Sequence, residues 1–298
     1  MSLLAGVLIC LVLYILIVVI YAKGVGMNWH YPDLHGKTVC ILGGTAGIGL
    51  ETAKKIKSLG ANLIIVGRNP STLEDVTNVE VDLSDLKSVK TGVEKLEHIV
   101  DHIDILINNA GCVVLEYGQK TKQGYDITVG VNYIGTASFA IGVSSLLMNA
   151  KAPRFVVVSS LNAGDWHEKE LPFDWEKAPG EEDPYIVSKT ACSLFAVGYA
   201  KKYPKIQTAH VHPGFVKSSL WRNMTGFTKA LYAVVLFLVG RNCWEGAQTS
   251  LYCALAPKIV SGEYYADCLR QEINVLCHDE EVIEKLWKKT MEAMEKVD

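Results

Sequence analysis

Short apolar runs recur along this chain, with stretches of helix length between them. Thr38–Leu42, Asn62–Val66, Val79–Val81, Ile103–Ile107, Phe155–Val158 and Gln207–Val211 read as strands, and Glu263–Tyr265 as a seventh. Leu86–Ile99, Asp126–Asn149 and Tyr185–Lys202 have helix length, and Glu51–Leu59 is helical in pattern. The strands are largely apolar along their length and do not alternate with polar residues. Such strands are buried on both faces, which a parallel sheet covered by helices provides. The expected fold is α/β, a doubly wound parallel sheet of about seven strands. No internal repeat, low-complexity tract or Pro/Gly/Ser-rich linker interrupts the pattern, so residues 23–298 are read as one domain.

One apolar run does not fit this alternation. Leu3–Tyr21 is 19 residues without a charge. At roughly 1.5 Å per residue, a helix of that length approaches the ~30 Å hydrocarbon core of a bilayer. Residues 1–22 are therefore read as an N-terminal membrane anchor, a single transmembrane helix. A cleaved signal peptide is the alternative, but it wants a basic leading region and a small-residue cleavage site. Only Met1 and Ser2 precede the run, and nothing before Ala22 resembles such a site. Lys23 and Lys37 follow it and no Lys or Arg precedes it, which places the rest of the chain on the cytosolic side.

Composition narrows the partners. A net charge of −3 gives no basic excess, so nucleic acid is not an expected partner. The eight cysteines form no C-x-x-C pair and fall at no zinc-ligand spacing, so no metal site is expected. A chain of 298 residues needs no disulfide staples, which fits a reducing compartment.

The first strand runs into Gly43-Gly44-Thr45-Ala46-Gly47-Ile48-Gly49 and then a helix. A glycine-rich turn between strand and helix lets the backbone approach a pyrophosphate at the helix N-terminus. The spacing is not that of a P-loop, because no Gly-Lys-Ser/Thr follows. Taken alone the glycines also fit an ordinary turn. The second strand ends at Arg68. An acidic residue there would bind a ribose 2′-hydroxyl, whereas Arg68 would pair with a 2′-phosphate, which favours NADP(H) and leaves NAD(H) open. A solvated loop arginine is the plainer alternative. Tyr185 and Lys189 stand four apart, on one face of a helix. A cation beside a phenol favours phenolate and lowers its pKa, giving a general acid–base near neutrality. That spacing also arises by chance on helix surfaces.

Taken together, these motifs resemble the short-chain dehydrogenase/reductase family, in that family's order, across most of residues 36–270. They are Gly43-x-x-x-Gly47-Ile48-Gly49, Asp82-Leu83, Asn108-Asn109-Ala110-Gly111, Asn132, Ser159-Ser160, Tyr185-x-x-x-Lys189, and Pro213-Gly214 with Ser218. The stretches from Glu245 and from Ser261 to Cys268 look like the retinol dehydrogenase branch, which also carries an N-terminal membrane helix. The resemblance implies a Rossmann-like fold and a catalytic set of Asn132, Ser160, Tyr185 and Lys189. Ser160 would hold the substrate oxygen and Tyr185 would move the proton. Lys189 would depress the Tyr185 pKa and bind the nicotinamide ribose, and Asn132 would help place a relay water. Gly43, Thr45, Gly47, Ile48 and Gly49 would meet the pyrophosphate. Asp82 and Leu83 would border the adenine, and Asn109, Ala110 and Gly111 would line the cofactor. Pro213, Gly214 and Ser218 would lie along the nicotinamide.

The implied reaction is hydride transfer between NADP(H) and a lipophilic carbonyl or alcohol: a retinoid, steroid or fatty aldehyde. The implied location is a single-pass membrane protein of the endoplasmic reticulum with its catalytic domain in the cytosol. A homodimer is left open, and a non-catalytic NADP-binding scaffold at the membrane is the alternative function. Some features depart from the family pattern. Leu42 stands where a threonine is usual, and only 12 residues separate Arg68 from Val81, room for a single turn at Leu73–Val76. Ala230–Val239 is too short to span a bilayer and reads equally as an apolar lid or a core helix. His167 and Asp174 have no partner at a meaningful spacing and read as surface residues. Glu281–Lys296 reads as an amphipathic packing helix.

Overall fold

The computed structural model describes residues 26–114, 118–164, 175, 183–217, 236–237, 240–273 and 275–297. The run Leu3–Tyr21, Ser218, His167, Asp174 and most of Ala230–Val239 lie outside the described residues. Among the described residues, no helix is long and apolar enough to cross a membrane.

The described residues form an eight-stranded sheet of β1 (Thr38–Leu42), β2 (Asn62–Gly67), β3 (Thr77–Glu80), β4 (Ile105–Asn108), β5 (Arg154–Val158), β6 (Gln207–His212), β7 (Glu263–Ala266) and β8 (Leu269–Gln271). The order is β3-β2-β1-β4-β5-β6-β7-β8. The first seven strands are parallel and β8 returns antiparallel to β7. Along β1, Val39 and Ile41 enter one apolar cluster while Cys40 and Leu42 enter the other. Both faces are therefore core, which is why the strand shows no polar alternation. Helices α1 (Gly47–Ser58) and α7 (Cys243–Leu255) cover one face. The other is covered by α2 (Leu86–Ile99), α4 (Thr136–Gly142), α5 (Ser144–Asn149), α6 (Pro184–Lys202) and α8 (Glu280–Glu295).

Five details differ from the sequence expectation, the first being that β3 spans Thr77–Glu80 rather than Val79–Val81. The sheet has an eighth strand, because β8 is three exposed residues held only by pairing with β7, a pattern with no apolar signature. Ile103 precedes β4 and its amide bonds the Leu146 carbonyl, so that strand starts at Ile105. The segment Asp126–Asn149 is not one helix. It is a short turn α3 (Ile127–Val129), a π-helical stretch Gly130–Gly135, and then α4 and α5. Gly135 permits that path: a Cβ there would lie 2.2 Å from the Leu83 carbonyl oxygen. No helical turn forms at Leu73–Val76, where the chain bends and Asp75 takes φ +47°.

Side chains set the helix starts. Asp85, Asp183 and Asp279 each accept from an amide in the first turn of α2, α6 and α8, and Asn242 with Glu245 forms a capping box on α7. Among the described helices of twelve residues or more, α1 alone has no side-chain cap, because Ala46 stands at the N-cap position.

Strand β6 carries two histidines with low pKa values. Burial pushes His210 down to about 4, and burial with the nearby Arg241 does the same to His212. Between pH 6.5 and 4 the unfolded chain binds protons that the folded chain refuses, so stability falls as pH drops through that window. Urea unfolding should show a loss on the order of 3 kcal/mol per histidine across it. His210→Gln should make the slope shallower.

Candidate active site

Beyond β1 the chain turns back across the end of β4, where the strand order reverses. Such a switch point leaves a crevice outside the carboxyl ends of the strands. Gly43 takes φ +76° and Gly47 φ +57° to make the turn. The Gly43 amide bonds the Val66 carbonyl at 2.8 Å, and the Asn109 side-chain amide donates to the Gly43 carbonyl at 2.9 Å. A Cβ on Gly43 would lie 2.8 Å from the Ala110 Cα. Gly49 sits behind the turn, where a Cβ would lie 2.0 Å from the Gly43 carbonyl oxygen. Its role is thus to let α1 close on the strand rather than to face the crevice. The uncapped first turn of α1 opens into a cavity of about 500 Å³. Free helix-terminal amides and a wide polar crevice fit a dinucleotide pyrophosphate.

Thr45, Gly47, Ile48 and Arg68 line this cavity together with Asp82, Leu83, Ala110 and Gly111. Arg68 is exposed just past β2, with no acidic side chain next to it in the chain. Asp82 is not free to bind a ligand through Oδ1, which accepts from the Ser84 amide and hydroxyl at 2.9 and 2.7 Å. These bonds shape the loop that follows β3.

At the other end, Asp183 caps α6 and Pro184 opens it, which fixes Tyr185 in the first turn and Lys189 one turn on. Both line the cavity. Lys189 Nζ lies 5.8 Å from the Tyr185 ring centroid and donates to the Val158 carbonyl at 2.9 Å. Burial pushes the Tyr185 phenol up to about 12, and the side-chain hydrogen bond between Tyr185 and Ser160 opposes that rise. Burial also lowers Lys189, against the pull of Cys192 and Cys112. The expected depression of Tyr185 by Lys189 does not appear: desolvation sets the direction, and the Lys189 ammonium donates to a backbone carbonyl. Ser160 Oγ donates to Asn162 Oδ1 at 2.9 Å and accepts from the Asn162 amide at 3.2 Å.

Asn132 lies in the π-helical stretch and is 1% exposed. Its side chain clamps both sides of Cys112, accepting from the amide at 2.7 Å and donating to the carbonyl at 2.9 Å. It also donates to Ser188 Oγ at 3.1 Å. The side chain is therefore spent on structure, and any relay must use the Asn132 carbonyl, which already accepts from Thr136 Oγ1 and Cys192 Sγ. Pro213 lines the cavity, whereas Gly214 (φ +86°) turns away, with the Arg241 guanidinium filling the space a Cβ would take.

Comparison with known proteins agrees with this arrangement. The family model described as short chain dehydrogenase matches residues 37–227. The chain belongs to the short-chain dehydrogenase family. It is 34% identical over 282 residues to human "Retinol dehydrogenase 12", covering 88% of this chain and 87% of that one. It is 31% identical over 288 residues to human "Retinol dehydrogenase 14", covering 85% of each. In fold it is similar to a gluconate 5-dehydrogenase from Burkholderia cenocepacia solved with NADP and tartrate (TM-score 0.62, 22% identity, 78% and 94% coverage). It is also similar to a 3-alpha-hydroxysteroid dehydrogenase from a Pseudomonas species solved with NADH (TM-score 0.64, 22% identity, 77% and 94% coverage).

This short-chain dehydrogenase thus gathers nearly all its motif residues on one rim of its sheet. Of the residues that hold them, sequence reasoning named Ser159 only as part of a motif and missed Asn162 and His212. Ser159 Oγ donates to the Lys189 carbonyl at 2.9 Å, and His212 Nδ1 accepts from the Leu161 amide at 3.0 Å. Asn162, two residues past Ser160, was detectable by its spacing; His212 belongs to a remote strand and was not. The glycines divide into two kinds by clearance. Gly49→Ala should cost about 1–3 kcal/mol in thermal or urea unfolding, because backbone must move. Gly111→Ala, whose Cβ would stand 3.4 Å from Asn132 Oδ1, should fold nearly as stably as the parent.

Proposed function

We propose that this chain is a membrane-anchored, NADP(H)-dependent oxidoreductase acting on a lipophilic carbonyl or alcohol. The observation that carries the reading is Tyr185 beside Lys189 and within hydrogen-bond reach of Ser160, at the end of a cavity roofed by an uncapped helix. When bound, the nicotinamide supplies or accepts the hydride. The α1 turn and Gly43 would hold the pyrophosphate, Arg68 the 2′-phosphate, and Pro213 and Gly111 the nicotinamide end. Ser160 orients the substrate oxygen through its hydroxyl. Tyr185 gives its Oη proton to that oxygen in reduction and takes it back in oxidation. Lys189, held by the Val158 carbonyl, keeps a positive charge beside the phenolate as it forms.

The retinol dehydrogenase names of the relatives support a retinoid-like substrate, and the apolar run Leu3–Tyr21 supports an anchor. A membrane-dissolved substrate fits both. The endoplasmic reticulum, with the catalytic domain in the cytosol, is the location this reading assigns.

Activity with NADPH and a panel of lipophilic aldehydes tests the proposal. Tyr185→Phe should lose at least a hundredfold in kcat while NADPH binding, followed by fluorescence, stays within twofold. Equal turnover by wild type and variant would remove Tyr185 from the mechanism. A phenol held near 12 is protonated throughout the working range. Aldehyde reduction should therefore be level from pH 6 to 9, while alcohol oxidation climbs with pH and shows no plateau below 9. A second variant addresses the cofactor: Arg68→Ala should raise the KM for NADPH about threefold, as fits an exposed charge pair, and leave that for NADH nearly unchanged. Equal effects on both would assign Arg68 to solvent.

A further inference from the structure

We infer that the carboxyl rim of the sheet is the face this protein lays on a lipid bilayer, so that the substrate mouth opens at the membrane surface. The inference rests on the proposed anchor at Leu3–Tyr21 and concerns where that anchor delivers the domain. Only residues 22–25 separate Tyr21 from Gly26. Fully extended, that connection spans on the order of 18 Å. Whatever Gly26 packs against is therefore kept close to the bilayer.

Gly26 packs on the turn between β7 and β8. A Cβ at Gly26 would lie 1.6 Å from the Asp267 carbonyl oxygen, and Cys268 Sγ donates to the Gly26 carbonyl at 3.0 Å. Two further contacts fix the segment to α7: the Asn28 amide and the Tyr31 hydroxyl both donate to Gln248 Oε1, at 3.2 and 3.1 Å. This is a docked segment, not a free tether. Because β7 runs parallel to β1–β6, Asp267 lies on the same rim as Ser160 after β5 and Pro213 after β6.

Arg241 joins the two places physically. Its guanidinium pairs with Asp267 Oδ1 at 2.6 Å and packs against Gly214. Its backbone bonds both Phe215 and Lys217. Large apolar side chains stand exposed on the loops of this rim, Leu269 at 65%, Leu161 at 50% and Phe215 at 43%, and Trp29, three residues past Gly26, is 84% exposed. Trp29 and Leu269 flank the Gly26–Asp267 contact in sequence, while Leu161 and Phe215 flank the mouth. Apolar side chains collected on one rim mark an interaction surface, and tryptophan favours the bilayer interface. The adjacent apolar run selects lipid as the occupant.

The test uses the full chain reconstituted in phosphatidylcholine vesicles whose acyl chains carry bromine near the headgroup. Trp29 fluorescence, taken as the difference between wild type and Trp29→Phe, should fall by at least half relative to unbrominated vesicles. Leu269→Glu should reduce kcat/KM about fivefold for a bilayer-dissolved aldehyde and leave a short water-soluble aldehyde unchanged. An unquenched Trp29 in a chain that floats with the vesicles overturns the docking face and leaves the anchor standing. A chain that does not float overturns both. Self-association in detergent abolished by Leu269→Glu, with Trp29 unquenched, assigns the face to a second copy instead. If neither aldehyde is turned over, the proposed activity fails and the quenching alone decides the surface.

Discussion

The Asn109 side chain reaches across the switch point to the Gly43 carbonyl, and the geometry of the crevice depends on that 2.9 Å contact. It joins the end of β4 to the turn after β1. Gly49 lies against the same carbonyl with no room for a Cβ, so α1 is pulled onto the strand until its uncapped amides face the crevice. The other long helices satisfy their first amides with Asp or Asn side chains. A helix that leaves those donors free in a polar cavity has an electrostatic demand that an anion can meet. Close packing and ligand binding are thus the same constraint seen from two sides.

Burial dominates the catalytic end. Helix α6 is buried along most of its length, and Tyr185 and Lys189 are buried with it. Desolvation raises the one and lowers the other, so both are driven toward their neutral forms. The surrounding groups are arranged to resist this: Ser160 supports the phenolate form, and the Val158 carbonyl accepts from the ammonium. Ser159 in turn fixes the Lys189 backbone and bonds Ser193 at 2.7 Å. The paired serines after β5 therefore divide the work, one holding the helix and the other bonding Tyr185 and Asn162.

The parallel sheet, its switch point and the Tyr185/Lys189 pair were legible because each leaves a local trace: apolar runs, a glycine cluster, an i, i+4 spacing. The π-helical stretch at Gly130–Gly135 was not. It depends on Gly135 meeting the Leu83 carbonyl, a contact between segments about fifty residues apart. Strand β8 was equally hidden, since three exposed residues carry no pattern. The direction of the Tyr185 shift was misjudged for a related reason. Spacing shows that a cation is near, but it does not show how much water both groups lose.

The adenosine end shows what a short connection does to a site. Between β2 and β3 the chain bends without forming a helix; the Ser71 amide donates to Asn78 Oδ1 at 2.7 Å and its Oγ accepts from the Leu73 amide at 3.2 Å. With no helix there to supply further side chains, Arg68 and Asn69 are the polar groups the end of β2 presents to the cavity. Arg68 is exposed, so water and salt screen whatever it binds, and its contribution to choosing a phosphate over a hydroxyl is modest. If NADP(H) binds as proposed, the turn at Gly43–Gly49 holds the pyrophosphate, a group the two cofactors share. Affinity and selectivity would then rest on different segments, and a change in one need not disturb the other.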